Sequence, residues 1–172
     1  FRRIAPLVRE SGLEQTLHGI LKRLLDRLIG QRLKLVWVHG DFTLDNILVD
    51  ESGDQVVGIL DWDYSQPLAL PFLDLLYLLW REAVRRTGSS MGEVFSQALL
   101  PGRLDSAARS HCTEYMRALS LSGSLYVPLA ILCWAHHIAC HLEYPEMYRY
   151  PDLLSEEVVP ALTAATAALD AV

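Results

Sequence analysis

Residues 39–46 read His39-Gly40-Asp41-Phe42-Thr43-Leu44-Asp45-Asn46, and Asp61-Trp62-Asp63 follows after a short interval. The carboxylate of Asp41 can accept a proton from a hydroxyl group. Asn46 and Asp61 offer hard oxygen ligands of the kind Mg²⁺ takes, and Asp63 adds a second carboxylate. A base and metal ligands at this spacing are the parts needed for metal-dependent phosphoryl transfer. At average residue usage a His-Gly-Asp-x4-Asn string arises by chance in roughly one chain in a thousand of this length. The competing reading makes Asp41 and Asp45 turn residues of a loop and lets Asp61 simply end a strand.

The intervening residues favour the first reading. Asn46-Ile47-Leu48-Val49-Asp50 and Val56-Val57-Gly58-Ile59-Leu60 have strand composition and are separated by the polar turn Glu51-Ser52-Gly53-Asp54. A hairpin there carries Asp61 back beside Asn46. On an extended strand end, residues two apart share a face. This predicts that Asp61 and Asp63 point one way and Trp62 points the other, towards the core. Two carboxylates on one face repel unless a cation lies between them.

Outward from this centre, the apolar residues Leu13, Leu17, Ile20, Leu21, Leu24, Leu25 and Leu28 recur at helical spacing, and Gly30 closes the helix. Leu35 to Val38 reads as a short buried strand feeding the loop. Pro67 and Pro71 punctuate a loop, after which a largely buried helix runs from Pro71 to near Gly88. Further helices are expected at about 91–99, 104–121, 124–142 and 153–171. A few strands followed by many helices give an α+β, mostly helical fold.

With glycine between His39 and Asp41 and with Asp-Trp-Asp at 61–63, the chain resembles the aminoglycoside phosphotransferase and choline kinase-like family. These are small-molecule kinases with a protein-kinase-like fold. The resemblance runs over about residues 12–80. It implies ATP as co-substrate, Mg²⁺ as cofactor, and a small-molecule hydroxyl acceptor such as a sugar, an aminoglycoside or an amino alcohol. It also implies that His39 supports the loop rather than acting as base. Asp74 would accept hydrogen bonds from backbone N–H groups of the loop. A carboxylate among Phe72, Leu73, Leu75 and Leu76 needs such partners, although a helix-start aspartate favoured by the dipole is the plainer alternative. The stretch 61–76 is also similar to phosphotransferase-type domains attached to bacterial polysaccharide-biosynthesis proteins, which points to a sugar acceptor.

At 172 residues the chain is sized for one domain. Hydrophobic residues make up 51% and charged residues 21%, so it is globular. Net charge is −6 with no dense Lys/Arg patch, which argues against nucleic acid or an anionic membrane as partner. The apolar run Leu125–Ala135 contains Pro128 and is about half the length that spans a bilayer, so a core helix is expected. Cys112, Cys133 and Cys140, without a signal peptide, suggest reduced thiols and a cytoplasmic location. The only lysines are Lys22, in a helical pattern, and Lys34, just before a strand. No G-x-G-x-x-G loop is present. A kinase-like enzyme needs a lysine-bearing first lobe for the phosphates. The expectation is therefore a C-terminal catalytic lobe whose N-terminal nucleotide-binding lobe is absent, and an isolated chain that is inactive. The alternative is a non-catalytic kinase-like module that binds a ligand or a partner domain.

A second cluster is Cys133, His136, His137, Cys140 and His141. Cys133, His137 and His141 lie on one helix face and could offer three zinc ligands, but no C-x-x-C pair completes the set. In the resembled family, helices after the metal site wall the acceptor pocket. This makes His136, His137, Glu143 and Tyr144 candidate substrate contacts, with polar surface residues at a helix end as the alternative.

Overall fold

A computed structural model describes residues 1–142 and 152–171. The chain is mostly helical, with two small antiparallel sheets. Helices α1 (Ile4–Glu10) and α2 (Glu14–Leu28) lead into strand β1 (Val36–Val38), and a 3₁₀ turn Leu44–Asn46 opens β2 (Ile47–Val49). Strand β3 (Val56–Ile59), a second 3₁₀ turn Trp62–Tyr64 and β4 (Gln66–Ala69) complete the β region. Then come α3 (Leu73–Thr87), α4 (Met91–Val94), α5 (Ser106–Ala118), α6 (Tyr126–His141) and α7 (Val159–Asp170). Helices α4 and α7 are joined to π-helical turns, Phe95–Leu99 and Leu153–Val158.

Two elements depart from the sequence expectation. Helix α1 has Pro6 in its first turn, where a proline costs no internal hydrogen bond. Gln66–Ala69, expected to be loop because of Pro67, pairs with β1 in the register Val36↔Ala69 and Val38↔Gln66. In a two-stranded sheet both strands are edges, and an edge tolerates a residue without an N–H.

The core is formed by α6 packed against α1, α2, α3 and α7. Leu129, Ile131, Trp134 and Ile138 of α6 are fully or almost fully buried, alongside Ile20, Leu76, Trp80 and Leu162. Pro128 sits in the first turn of α6 and does not break it. The helical run Gly123–Cys140 is therefore 18 residues long, enough by length and composition to cross a membrane, and longer than the apolar stretch alone suggests. In the fold it is the central core helix. Asp105 caps α5 by accepting from Ala108 N at 2.9 Å, and Ser90 caps α4 by accepting from Glu93 N.

The β region is much less covered. Strand β1 forms where expected but is only partly buried: Leu35 is 52% and Trp37 67% exposed, as is Leu68 on the paired strand β4 at 74%, because a two-stranded sheet leaves side chains that no other element covers. Leu48, Val49, Val56, Val57 and Leu60 of the hairpin are exposed as well. This apolar concentration lies beside the loop that carries Asp41.

Candidate active site

Strand β1 delivers His39 into the interior, where it is 2% exposed. Its Nε2 lies 2.7 Å from the Leu60 carbonyl oxygen, which can only accept, so Nε2 carries the proton. Its Nδ1 then accepts from Asp41 N–H at 3.3 Å. The imidazole thus ties the loop to the end of the hairpin and leaves no nitrogen for a reacting group.

Gly40 takes φ 88°, a left-handed conformation. A Cβ there would collide with the Tyr64 carbonyl oxygen and lie 2.9 Å from the Tyr64 Cβ. The loop therefore needs glycine both for its backbone angle and for the close passage of residue 64. This explains in physical terms why glycine separates His39 from Asp41.

Asp74, in the first turn of α3, has the loop contacts expected of it. His39 N–H donates to Oδ2 at 2.7 Å and Gly40 N–H to Oδ1 at 3.0 Å. A charge-assisted pair of this kind is stronger than two neutral hydrogen bonds. All three amides of the His39–Asp41 turn are satisfied.

Asn46 reaches back to Asp41. Its Nδ2 donates to the Asp41 carbonyl oxygen at 2.9 Å and stands 3.5 Å from carboxylate Oδ2. With the amide nitrogen so engaged, Oδ1 is the side-chain atom of Asn46 that remains to serve as a donor for a cation. Leu60 N–H donates to the Asn46 carbonyl oxygen at 2.9 Å, so the hairpin does return its end, and Asp61, beside Asn46.

The Asp61–Asp63 segment differs from the expected extended strand end. Asp61 is left-handed, with φ 60° and ψ 61°, and residues 62–64 form the 3₁₀ turn. The two-residue alternation therefore does not apply, and Trp62 does not enter the core. It is 46% exposed, packs on His39 with ring centroids 4.8 Å apart, and donates from Nε1 to the Ile59 carbonyl oxygen at 2.9 Å. A left-handed non-glycine residue costs on the order of 1–3 kcal/mol, and such residues gather at functional sites. Among the described residues, the carboxylates of Asp61 and Asp63 neither accept a hydrogen bond nor pair with a base.

Whether this donor set suits a divalent cation follows from its chemistry. Asn46 Oδ1 and the Asp61 and Asp63 carboxylates are all oxygen donors, which fits Mg²⁺ or Mn²⁺. Among the described residues, no group of three His, Cys, Asp or Glu side chains is arranged as a ready cage. Magnesium ordinarily takes one or two carboxylates and completes its shell with water and substrate phosphates, so an open set is compatible with it.

Among the described residues, the second cluster forms no group arranged to hold a metal ion. Cys133 is buried and directs its thiol at the Leu73 carbonyl oxygen, 3.7 Å away, and burial pushes the thiol up to about 12. It stays protonated and is a poor metal ligand. His137, expected at a substrate wall, is 6% exposed and packs its ring 4.8 Å from that of Trp80. Its Nε2 lies 3.5 Å from Glu157 Oε2. That makes it part of the helical core rather than of an open pocket, because the aromatic rings of α3 cover it. His136 is half-buried, with Nε2 3.7 Å from Cys140 Sγ. Glu143 and Tyr144 lie outside the described residues.

Sequence reasoning gave no role to Tyr64 or Tyr115 and took Phe72 only as an apolar neighbour of Asp74. Phe72 N–H donates to the Tyr115 hydroxyl oxygen at 3.1 Å. The positive φ of Phe72, at 81°, has no signature in a residue other than glycine or asparagine.

A family model described as "Phosphotransferase enzyme family" matches residues 2–109, which is more than half of the chain. No curated protein and no solved structure matches it significantly.

Proposed function

The chain belongs to the phosphotransferase enzyme family, and from that premise we propose that it transfers the γ-phosphoryl group of ATP to a hydroxyl of a small molecule. A sugar, an aminoglycoside or an amino alcohol would fit. The observation that carries this reading is the hold of Asn46 on Asp41, by two contacts from one amide nitrogen. One residue orients the base while offering its remaining oxygen for a cation. Asp41 would accept the hydroxyl proton as the acceptor oxygen attacks the γ-phosphorus and the bond to ADP breaks. Asn46 and Asp61, with Asp63, would hold Mg²⁺. Bound there, the ion would offset the negative charge of the phosphates. The rest of the catalytic effect would be positioning by the His39–Asp41 turn.

We further assign the chain to a C-terminal catalytic lobe. In support, the apolar side chains of Leu48, Val57, Trp37 and Leu68 are exposed, and a covering lobe would give them a partner. Lys22 lies on α2 and Lys34 in the coil before β1, so neither has the strand setting of a phosphate-binding lysine. The second lobe would supply that lysine. This same feature favours the second reading, a non-catalytic binding module within a larger protein such as one of polysaccharide biosynthesis.

The deciding experiment offers ATP, Mg²⁺ and a panel of sugars, aminoglycosides and amino alcohols to the full-length protein, with Asp41→Asn and Asp61→Ala alongside. Turnover by wild type that both variants lose supports phosphotransfer. Nucleotide binding without turnover on any acceptor supports the binding module.

A further inference from the structure

The loop that carries Asp41 is held by a relay that begins outside the family-matched span. Asp74 takes the amide protons of His39 and Gly40 on its two oxygens. It sits in the first turn of α3, so its position follows from how the chain enters that helix. The entry residue is Phe72, buried to 1% exposure and left-handed at φ 81°. That conformation is unfavourable for a bulky side chain and has to be held from outside. Two contacts from Tyr115 on α5 hold it. The Phe72 N–H donates to the Tyr115 hydroxyl oxygen at 3.1 Å, and the two rings stack with centroids 5.3 Å apart. Tyr126 closes the other side edge-on, at 5.8 Å between centroids. The Tyr126 hydroxyl is committed to the Leu99 carbonyl oxygen at 2.6 Å, which leaves the Phe72 amide to Tyr115.

We propose that Tyr115 is a positioning residue for phosphoryl transfer. Its hydroxyl fixes the left-handed turn at Phe72, the turn sets Asp74, and Asp74 sets the His39–Asp41 loop that presents the base. The role in transfer rests on the function proposed above, whereas the relay is a matter of geometry. Tyr115 lies beyond residues 2–109, so the family match does not reach it.

Tyr115→Phe tests this, because it keeps the ring and its stack and removes only the acceptor. Amide hydrogen exchange is followed residue by residue in the full-length protein. Exchange at Phe72, His39 and Gly40 should accelerate about tenfold or more, while α2 and α7 keep their rates. Acceleration confined to Phe72 overturns the relay, and so does uniform acceleration through every helix. In an Asp74→Asn background the relay is already cut, so Tyr115→Phe should leave the loop amides unchanged; an added effect overturns it. Where wild type transfers phosphate, Tyr115→Phe should lower kcat with little change in the nucleotide KM. An unchanged kcat overturns the role in transfer. An acceptor panel that shows no turnover for wild type overturns the phosphotransfer reading, and the exchange pattern then decides the relay by itself.

Discussion

On one side of the site, every amide of the His39–Asp41 turn has an acceptor, the imidazole is committed at both nitrogens, and Asp74 ties the turn to a core helix. On the other side, the hairpin ends in Asp61 and Asp63, whose carboxylates carry no partner among the described residues, and its apolar side chains face outward. The first side is anchored in protein. The second is exposed and acidic, an arrangement suited to receiving charge from outside. In the proposed function the base needs a fixed geometry, whereas the metal ligands need free lone pairs. Each side has the property its role would require.

The contrast can be broken most severely at Asp41. In the full-length protein Asp41→Asn should lower phosphoryl transfer by about 10²–10⁴-fold while nucleotide binding stays nearly intact. Asparagine keeps the shape and can still meet Asn46, but it cannot take a proton. Steady-state kinetics with parallel nucleotide titration reads this, and full activity in the variant would end the assignment of Asp41 as base.

The next largest effect is expected at the anchored side. Asp74→Ala leaves the His39 and Gly40 amides without acceptors and should destabilise the fold by about 1–3 kcal/mol. Urea denaturation gives the value. A loss below a few tenths of a kcal/mol would mean that water replaces the carboxylate freely.

At the open side the signs should diverge. Asp61→Gly fits the left-handed backbone and should be about 1 kcal/mol more stable than Asp61→Ala. If wild type binds Mn²⁺ as the proposed function requires, both should lose that binding in a titration with nucleotide present. If glycine and alanine prove equally stable, the backbone at residue 61 is not under strain. Retained Mn²⁺ binding in both would remove Asp61 from the ligand set.

The smallest effect concerns the hairpin turn. Asp50 accepts from the Gln55 and Asp54 amides and from the Ser52 hydroxyl, and these bonds, the Gln55 amide foremost, hold its carboxyl below the usual carboxylate range. Because its folded value is depressed, its contribution is present above the unfolded value of 3.8 and is lost as pH falls through the lower folded value. The hairpin amides of 53–55 should therefore shift in NMR spectra only in strong acid, below that of an unstructured aspartate. An Asp50 that titrates at its ordinary value would remove the turn from the account.

Much of this side-by-side construction was legible in the chain. Helices α2 and α3, strand β1 and the hairpin follow from local periodicity and turn residues, and their ends fall within a residue or two of expectation. The proximity of Asp61 to Asn46 followed from the hairpin. What escaped depends on contacts between distant segments. Pairing with β1 makes a strand of Gln66–Ala69 despite Pro67. The left-handed turn at Asp61 ends the two-residue alternation and sends Trp62 outward, against His39. His137 was expected to line an acceptor pocket, with a polar helix end as the alternative, and is instead enclosed by aromatic rings of α3. The link from Tyr115 to Phe72 spans 43 positions, and no short-range pattern could announce it.

The passage of residue 64 beside Gly40 also governs how the site can change under mutation. The obstructing atom is the Tyr64 carbonyl oxygen, which every amino acid carries. No replacement at position 64 can therefore make room for a side chain at position 40. A saturation library should find position 40 closed to everything but glycine, whichever residue stands at position 64. Pairing the two positions should rescue nothing. Variation near the base is channelled into the exposed hairpin end, where side chains can change without disturbing the turn that holds Asp41.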